Sequence, residues 1–173
     1  MRKNIFRSLA LALVAVLTLG VLFACDKGGD SEDTDGGETK ESIYAVRYNG
    51  TTVTLGKKAD ATLSKLGEPM SEQNTGNCGG LGETVRYDYS SLVIVVVDYE
   101  DGDKIIDQIE LKNDGAETSK GIYIGSSEAD VKAAYGDADG NVGSALVYKE
   151  NGKQLEIGIT DGVVSTIVLK CVD

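Results

Sequence analysis

Residues 122–138, IYIGSSEADVKAAYGDA, decide the fold, because they frame an amphipathic segment between two glycines, Gly125 and Gly136, eleven residues apart. Glycine adopts a positive φ without the steric penalty that other residues meet. Gly125 therefore indicates a turn, and Gly136 indicates the C-cap of a short helix. The order predicts a strand, a glycine turn, a helix of about three turns and a second glycine turn.

The helix between these glycines has its own start and packing signals. Ser127 and Asp130 have the spacing of a capping box, in which each side chain bonds the backbone N–H of the other residue. Val131, Ala134 and Tyr135 recur at helical spacing and form the stripe that we expect to be buried. We assign Tyr135 to the core.

The same pattern occurs earlier, in residues 53–69, VTLGKKADATLSKLGEP, where Gly56 and Gly67 are again eleven residues apart. A second helix is therefore predicted, although Lys57 and Lys58 stand at its start, where the helix dipole favours acidic side chains.

Three runs of strand character follow each helix. They are residues 84–89, 92–99, 105–111, 145–149, 154–159 and 163–169. Residue pairs that tolerate the positive φ of two-residue hairpins stand at Asn49-Gly50, Asp101-Gly102, Asn151-Gly152 and Asp161-Gly162. The first of these pairs joins two further predicted strands, residues 43–48 and 52–55.

We therefore predict an α+β fold of two tandem strand-helix-three-strand-meander repeats, mainly antiparallel sheet with one short helix per repeat. Repeat 1 spans residues 43–116 and repeat 2 spans residues 117–173. A unit of roughly 60 residues buries only about 60% of its unfolded surface and is marginal alone. We expect the two repeats to share a core or a continuous sheet.

The N-terminus has the pattern of a signal peptide. Three basic residues precede an apolar run over residues 9–24, which ends in Leu-Phe-Ala before Cys25. This ending looks like a bacterial lipobox and predicts a signal peptide at 1–24 and a lipidated Cys25. The alternative is an uncleaved membrane helix, but the run holds 16 residues, whereas a bilayer span needs roughly 20.

Residues 25–42 are predicted to be the lipidated cysteine and a disordered acidic tether, because residues 26–41 contain no apolar side chain. Removal of residues 1–24 takes away three cations and no acid, so the formal net charge changes from −11 to −14. A chain this acidic is not expected to bind nucleic acid, which requires a basic patch. The lipid on Cys25 is predicted to hold the protein on the extracytoplasmic face of the cell membrane.

The repeated order of strand, glycine, helix and meander behind a lipobox resembles the tandem repeats of the beta-lactamase inhibitory protein family. It is also similar to the SmpA/OmlA-type lipoproteins of outer-membrane assembly, which carry one such unit. Residues 99–104, 121–127 and 134–137 look like a group of Gram-positive surface lipoproteins without an assigned function. The resemblance, over residues 43–170, implies this fold and a concave sheet face that grips a protein. It identifies no individual contact residue.

Catalytic and metal sites are not indicated. The chain has no histidine, which removes the commonest general base and the usual zinc ligand sets. Five acids, Asp98, Glu100, Asp101, Asp103 and Asp107, surround one predicted hairpin, but their spacing differs from that of a calcium loop and favours a charged turn. We predict no catalytic residue, no metal ligand and no cofactor.

Cys78 and Cys171 are the two thiols that remain after lipidation. An even pair outside the cytoplasm indicates a disulfide between them. The alternative is a free, accessible thiol at Cys78, which stands in a glycine-rich loop suited to redox or metal chemistry.

Tyrosines on an exposed sheet face act as binding anchors. One short helix per repeat covers only one side of a sheet, so we expect an open face with Tyr148, and with Tyr87 or Tyr89, as candidate binding residues. Alternation opposes part of this hypothesis, because Tyr87 and Tyr89 share one face and Asp88, which is costly to bury, takes the other.

These features favour a lipid-anchored, extracytoplasmic, non-catalytic module that binds an unknown protein or peptide. The first alternative is an extracytoplasmic lipoprotein that binds a small ligand or a cation. The second is a thiol enzyme that uses Cys78.

Overall fold

The structure, a computed structural model, describes residues 42–76, 82–99 and 102–172, all within one compact unit. The predicted signal peptide, Cys25 and the tether lie outside the described residues, as does Cys78. The elements are β1 (Ala45–Tyr48), β2 (Thr51–Thr54), α1 (Asp60–Leu66), β3 (Ser71–Gly76), β4 (Glu83–Asp88), β5 (Leu92–Asp98), β6 (Lys104–Leu111), β7 (Glu117–Thr118), α2 (Glu128–Tyr135), β8 (Gly140–Val142), β9 (Ala145–Glu150), β10 (Lys153–Thr160) and β11 (Val163–Cys171).

The strands form one large sheet and one small sheet, and all their pairings are antiparallel. The small sheet has the order β2-β1-β7, and the eight-stranded sheet has the order β3-β4-β5-β6-β11-β10-β9-β8. A mainly antiparallel sheet with two helices confirms the predicted α+β class.

Strands β6 and β11 join the two halves of the large sheet. Gln108–Leu111 of β6 pair with Ile167–Lys170 of β11. The hydrogen-bonded ladder is therefore continuous from β3 to β8, which confirms the expectation of a shared sheet.

Apolar side chains alternate onto one face of this sheet, which we call the inner face. One row of facing residues crosses six strands and comprises Tyr87, Ile94, Ile109, Leu169, Leu155 and Tyr148. The same cluster contains Val46 and Val53 of the small sheet and Val131 of α2, all of them fully buried. The helices and the small sheet therefore pack on the inner face.

Helix α2 begins as the sequence predicts. The Ser127 side chain accepts from the Asp130 N–H, and the Asp130 carboxylate accepts from the Ser127 N–H, which confirms the capping box. The Ser127 hydroxyl also donates to the Asp130 carboxylate, and this bond lowers the pKa of Asp130. Val131 is buried and Tyr135 packs against the core, while Gly136 ends the helix at φ 77°.

Helix α1 begins later than predicted, at Asp60, because the residues before it bond to strand β6. The Gly56 N–H donates to Ile106 O (2.7 Å), the Ile106 N–H to Lys57 O (3.0 Å), and the Ala59 N–H to Lys104 O (2.7 Å). Backbone groups engaged with a strand are not available for an earlier helical turn.

The same three bonds recur before α2. The Gly125 N–H donates to Val164 O (2.8 Å), the Val164 N–H to Ser126 O (2.8 Å), and the Glu128 N–H to Gly162 O (3.0 Å). Each helix is therefore attached by its N-terminal turn to the last strand of the meander that follows it.

The hairpin predictions hold where the structure describes them. Asn49, Asn151 and Asp161 have φ values of 49°, 49° and 52°, each followed by a glycine at positive φ. Asp101 lies outside the described residues. The six predicted meander strands are present as β4, β5, β6, β9, β10 and β11, with ends shifted by one or two residues.

Two aspects of the predicted secondary structure were wrong. Residues 122–124 are not a strand, because the Ile122 backbone bonds back to Thr118: its N–H donates to Thr118 Oγ1 (3.1 Å) and its carbonyl accepts from the Thr118 N–H (2.8 Å). Strands β3, β7 and β8 were missed. Strand β3 has the sequence SEQNTG and is exposed throughout, so it has no apolar alternation to detect.

The β6–β11 junction predicts cooperative unfolding. Ile167→Ala removes a fully buried side chain and should lower the free energy of unfolding by about 2 to 5 kcal/mol. Because one ladder and one core span both halves, far-UV circular dichroism and tyrosine fluorescence should report a single shared transition. Val163→Ala, at a residue 44% exposed in the same strand, is the control and should change stability by less than about 1 kcal/mol. Separate transitions for the two halves would contradict this prediction.

Candidate functional site

The tyrosines predicted to lie on an open face lie on the inner face instead. Tyr148 is 5% exposed and Tyr89 is 4% exposed, while Tyr87 is partly buried against the core. The prediction that Tyr148 is an exposed anchor is therefore wrong. The alternation argument is confirmed, because Asp88 lies on the opposite face from its tyrosine neighbours.

Two of these tyrosines hold the helix ends. The Tyr148 hydroxyl donates to the carbonyl of Gly136 (3.3 Å), and the Tyr89 hydroxyl donates to the carbonyl of Gly67 (3.4 Å). The Tyr148 ring also packs on Tyr135, with 5.1 Å between ring centroids. Burial raises the pKa of Tyr148 and of Tyr89, and raises that of Tyr135 to about 12. These tyrosines stabilise the fold.

The other face of the large sheet, which we call the open face, carries charged and amide side chains. Its first row, the acidic row, holds residues that face one another across β4, β5, β6, β11, β10 and β9. They are Asp88, Val93, Glu110, Val168, Glu156 and Val147. Three carboxylates thus alternate with three valines.

A second row, the basic row, lies two residues away along the same strands. It comprises Arg86, Val95, Gln108, Lys170, Gln154 and Lys149. Neighbouring strands are about 4.8 Å apart, so each row is about 24 Å long. A row of carboxylates therefore runs beside a row of cations and amides across the middle of the sheet.

Ion pairs connect the two rows. Lys170 Nζ lies 2.7 Å from a carboxylate oxygen of Glu156, which also accepts from the Gln154 amide. Lys112, just beyond the acidic row, donates to Asp88 (2.5 Å). Val93, which pairs with Asp88 and Glu110 across the acidic row, is only 1% exposed.

Two polar groups of this face, one in β4 and one in β6, have spare hydrogen-bonding capacity. The Arg86 guanidinium lies 3.9 Å from Asp88 and 3.8 Å from Glu110, beyond hydrogen-bonding distance. Within the described ranges, neither the Arg86 guanidinium nor the Gln108 side-chain amide donates a hydrogen bond. Their side chains are half-buried, so these donors are positioned to bond an incoming surface.

The edges of the large sheet are protected from strand addition. In edge strand β3, the charged Glu72 lies on the inner face, opposite Tyr87, and the register with β4 shifts between Asn74 and Gly76. Edge strand β8 has only three residues. Inward charges, bulges and short edge strands all hinder pairing with another chain. The open face is therefore the better candidate for contact.

Cys171 is a free thiol in the structure. Its predicted disulfide partner, Cys78, lies outside the described residues, so the disulfide stays a prediction. Burial, and then the Asp107 charge, raise the pKa of Cys171.

The acidic hairpin forms ion pairs. Asp103 lies 2.7 Å from Lys58 Nζ, and Asp98 lies 3.7 Å from Lys104 Nζ, while Glu100 and Asp101 lie outside the described residues. Among the residues that the structure describes, no three His, Cys, Asp or Glu side chains gather as metal ligands would.

Grooves in the described surface are open and shallow. The larger, about 510 Å³, lies between the start of α2 and the turn that carries Tyr123, a residue 42% exposed. A second, about 380 Å³, lies beside the hairpin of β1 and β2. Neither contains a buried charged side chain.

The sequence analysis did not identify the residues of the open face, although one pattern in the sequence indicates them. The alternation of Gln108, Ile109, Glu110 and Leu111 indicates one wet face. What the sequence lacks is the register, which aligns these positions with Arg86 from β4 and with residues of β9 to β11.

Comparison of the chain with protein-family models, with curated proteins and with solved structures finds no match. No helix in the described ranges is long and apolar enough to cross a membrane.

The burial of Tyr148 and its hydrogen bond to Gly136 predict that substitutions of this residue lower the stability of the fold. Tyr148→Phe removes the bond to the Gly136 carbonyl and should cost about 1 kcal/mol, and Tyr148→Ala should cost about 3 to 5 kcal/mol through the cavity it leaves. The matched control is Tyr123→Phe at an exposed position, which should be neutral. Urea unfolding measures all three. A neutral Tyr148→Ala variant would show that this residue is not part of the core.

Proposed function

We propose that the chain is a lipid-anchored, extracytoplasmic, non-catalytic module that binds a protein or peptide through its open face. One observation carries this proposal. The face presents two charged rows with unengaged donors from Arg86 and Gln108, while the apolar residues and tyrosines are used on the inner face. Arginine is enriched among the residues that carry binding energy at protein contact surfaces.

The charge of the face supports a protein partner. Asp88, Glu110 and Glu156 stand beside Arg86, Lys112, Lys149 and Lys170, so the face holds four cations against three carboxylates in a chain of net charge −11. A phosphate backbone would meet carboxylates in every second position of the acidic row. A protein surface with both signs of charge satisfies both rows.

Two further elements of the proposal concern the origin of the sheet and the anchor. We propose that the halves are tandem repeats, supported by the three matched backbone bonds before each helix and by the paired bonds from Tyr89 and Tyr148 to the glycine C-caps. The resemblance to the tandem repeats of the beta-lactamase inhibitory protein family is consistent with this arrangement. The lipobox at Cys25 supports the anchor.

The alternatives receive less support from the described residues. A cation-binding role requires clustered oxygen ligands. Of the acids around the hairpin between β5 and β6, Asp103 is paired with Lys58 and Asp98 with Lys104. The thiol-enzyme alternative depends on Cys78, which lies outside the described residues, and so receives no support from them.

The anchor is tested by Cys25→Ser. Because the lipid is proposed to be the membrane attachment, this variant should leave the membrane fraction, and the circular dichroism of the folded part should not change. Mass spectrometry of the wild-type N-terminus should find a diacylglyceryl group on Cys25 and no residues 1–24. A mature chain that retains residues 1–24, or lacks lipid, contradicts the anchor.

The binding face is tested by crosslinking in intact cells, purification of the tagged chain and quantitative mass spectrometry. Wild type should capture one protein in stoichiometric amount. Arg86→Glu with Lys170→Glu reverses two charges of the basic row and should reduce capture at least tenfold, because like charges then meet across the contact. The matched control, Arg47→Glu with Lys132→Glu, reverses two charges outside the open face and should capture normally.

Two results would contradict the binding proposal. One is equal capture by both double variants, which would place the contact elsewhere. The other is a calcium-dependent rise in the melting temperature without any captured protein, which would favour the cation-binding alternative.

A further inference from the structure

The two rows of the open face are complementary to each other. Turning a second copy over, about a two-fold axis that runs between the rows and parallel to them, places each acidic-row residue over the basic-row residue from the same strand. The facing positions are then Asp88 with Arg86, Val93 with Val95, Glu110 with Gln108, Val168 with Lys170, Glu156 with Gln154 and Val147 with Lys149. Val93, Val147 and Gln154 are buried, so the polar contacts between copies come from Asp88 with Arg86 and from Glu110 with Gln108. No pair opposes like charges.

We propose that the partner of the open face is a second copy of this chain, packed face to face about that axis. The inference rests on the proposed function, since it names the partner of the same site. Such an interface is isologous, so each complementary pair occurs twice.

The unengaged groups support this arrangement. Arg86 keeps guanidinium donors that its own carboxylates, at 3.8 and 3.9 Å, do not accept. In the dimer these donors meet Asp88 of the second copy, whose carboxylate retains acceptor sites beside its bond from Lys112. The Gln108 amide meets Glu110 of the second copy, a side chain 42% exposed.

The alternative two-fold axis, parallel to the strands between β6 and β11, is less favourable. It would place Arg86 of one copy over Lys149 of the other, and like charges at an interface are repulsive. The register therefore selects one of the two face-to-face orientations.

The size of the face is sufficient for a modest dimer. Six strands about 4.8 Å apart, each about seven residues long at 3.3 Å per residue, present about 700 Å². Standard interfaces bury roughly 800 Å² per partner. The net charge of −11 opposes association at long range, but the open face is not acidic, and salt at physiological strength screens charges beyond about 8 Å.

Exchange of charges between copies tests the inference in the full chain. Two differently tagged copies are expressed together, the envelopes are solubilised in detergent, and co-capture of the second tag is measured. Wild-type copies should co-purify. Arg86→Glu copies should lose at least 90% of co-capture, because the introduced carboxylate would face Asp88 of the other copy. Asp88→Arg copies should lose as much, because the introduced guanidinium would face Arg86. Arg47→Glu, outside the face, should behave as wild type.

The decisive sample mixes the two defective variants. An Arg86→Glu copy facing an Asp88→Arg copy has opposite charges in both facing pairs, so co-capture should return to at least half of the wild-type level. A folding defect would not be rescued in this way.

Gln108→Lys should also tighten association about three- to tenfold, because each new lysine faces Glu110 of the other copy.

Other outcomes overturn the inference. Absence of wild-type co-capture, or failure of the mixed variants to recover it, excludes the second copy as the partner. If a different protein is then captured through Arg86, the proposed binding function stands without the dimer. If no protein is captured, both proposals fail.

Discussion

Pairing of β6 with β11 is the interaction on which the rest of the structure depends. Each of these strands ends a four-stranded meander, and each also holds the N-terminal turn of its helix through three backbone bonds. Where β6 and β11 pair, the two meanders become one sheet and the two helices come to lie on the same face. A single core then buries Ile109, Ile167 and Leu169 at the junction, which neither half could bury alone.

Tyrosines complete the attachment of the helices. Helix α1 has no fully buried residue, and its Leu63 and Leu66 are only partly buried against the core. Its N-terminal turn bonds to β6, and its C-terminal glycine carbonyl accepts from Tyr89. Tyr148 makes the equivalent bond at the end of α2. The aromatic residues that a sequence interpretation offers as binding anchors are therefore consumed by the fold.

Side chains alternate between the two faces along each strand, so the polar residues lie on the face opposite the core. The register aligns the residues that alternate onto the open face into an acidic row and a basic row. Valines of these rows, such as Val93 and Val147, are buried, so the face is polar at its surface. Matching of charges and hydrogen bonds gives specificity at protein interfaces, which is why we propose contact with a protein for this face.

The sequence by itself determined the local structure: the capping box at Ser127, the glycine ends of both helices and the hairpins at Asn49, Asn151 and Asp161. These depend on interactions between residues a few positions apart. Only the tertiary structure decided that β6 pairs with β11, that the polar segment after Pro69 becomes an edge strand, that residues 122–124 form no strand and that Tyr148 is buried. It also decided the composition of the open face, since Arg86 and Glu110 are distant in sequence and become neighbours only through strand register.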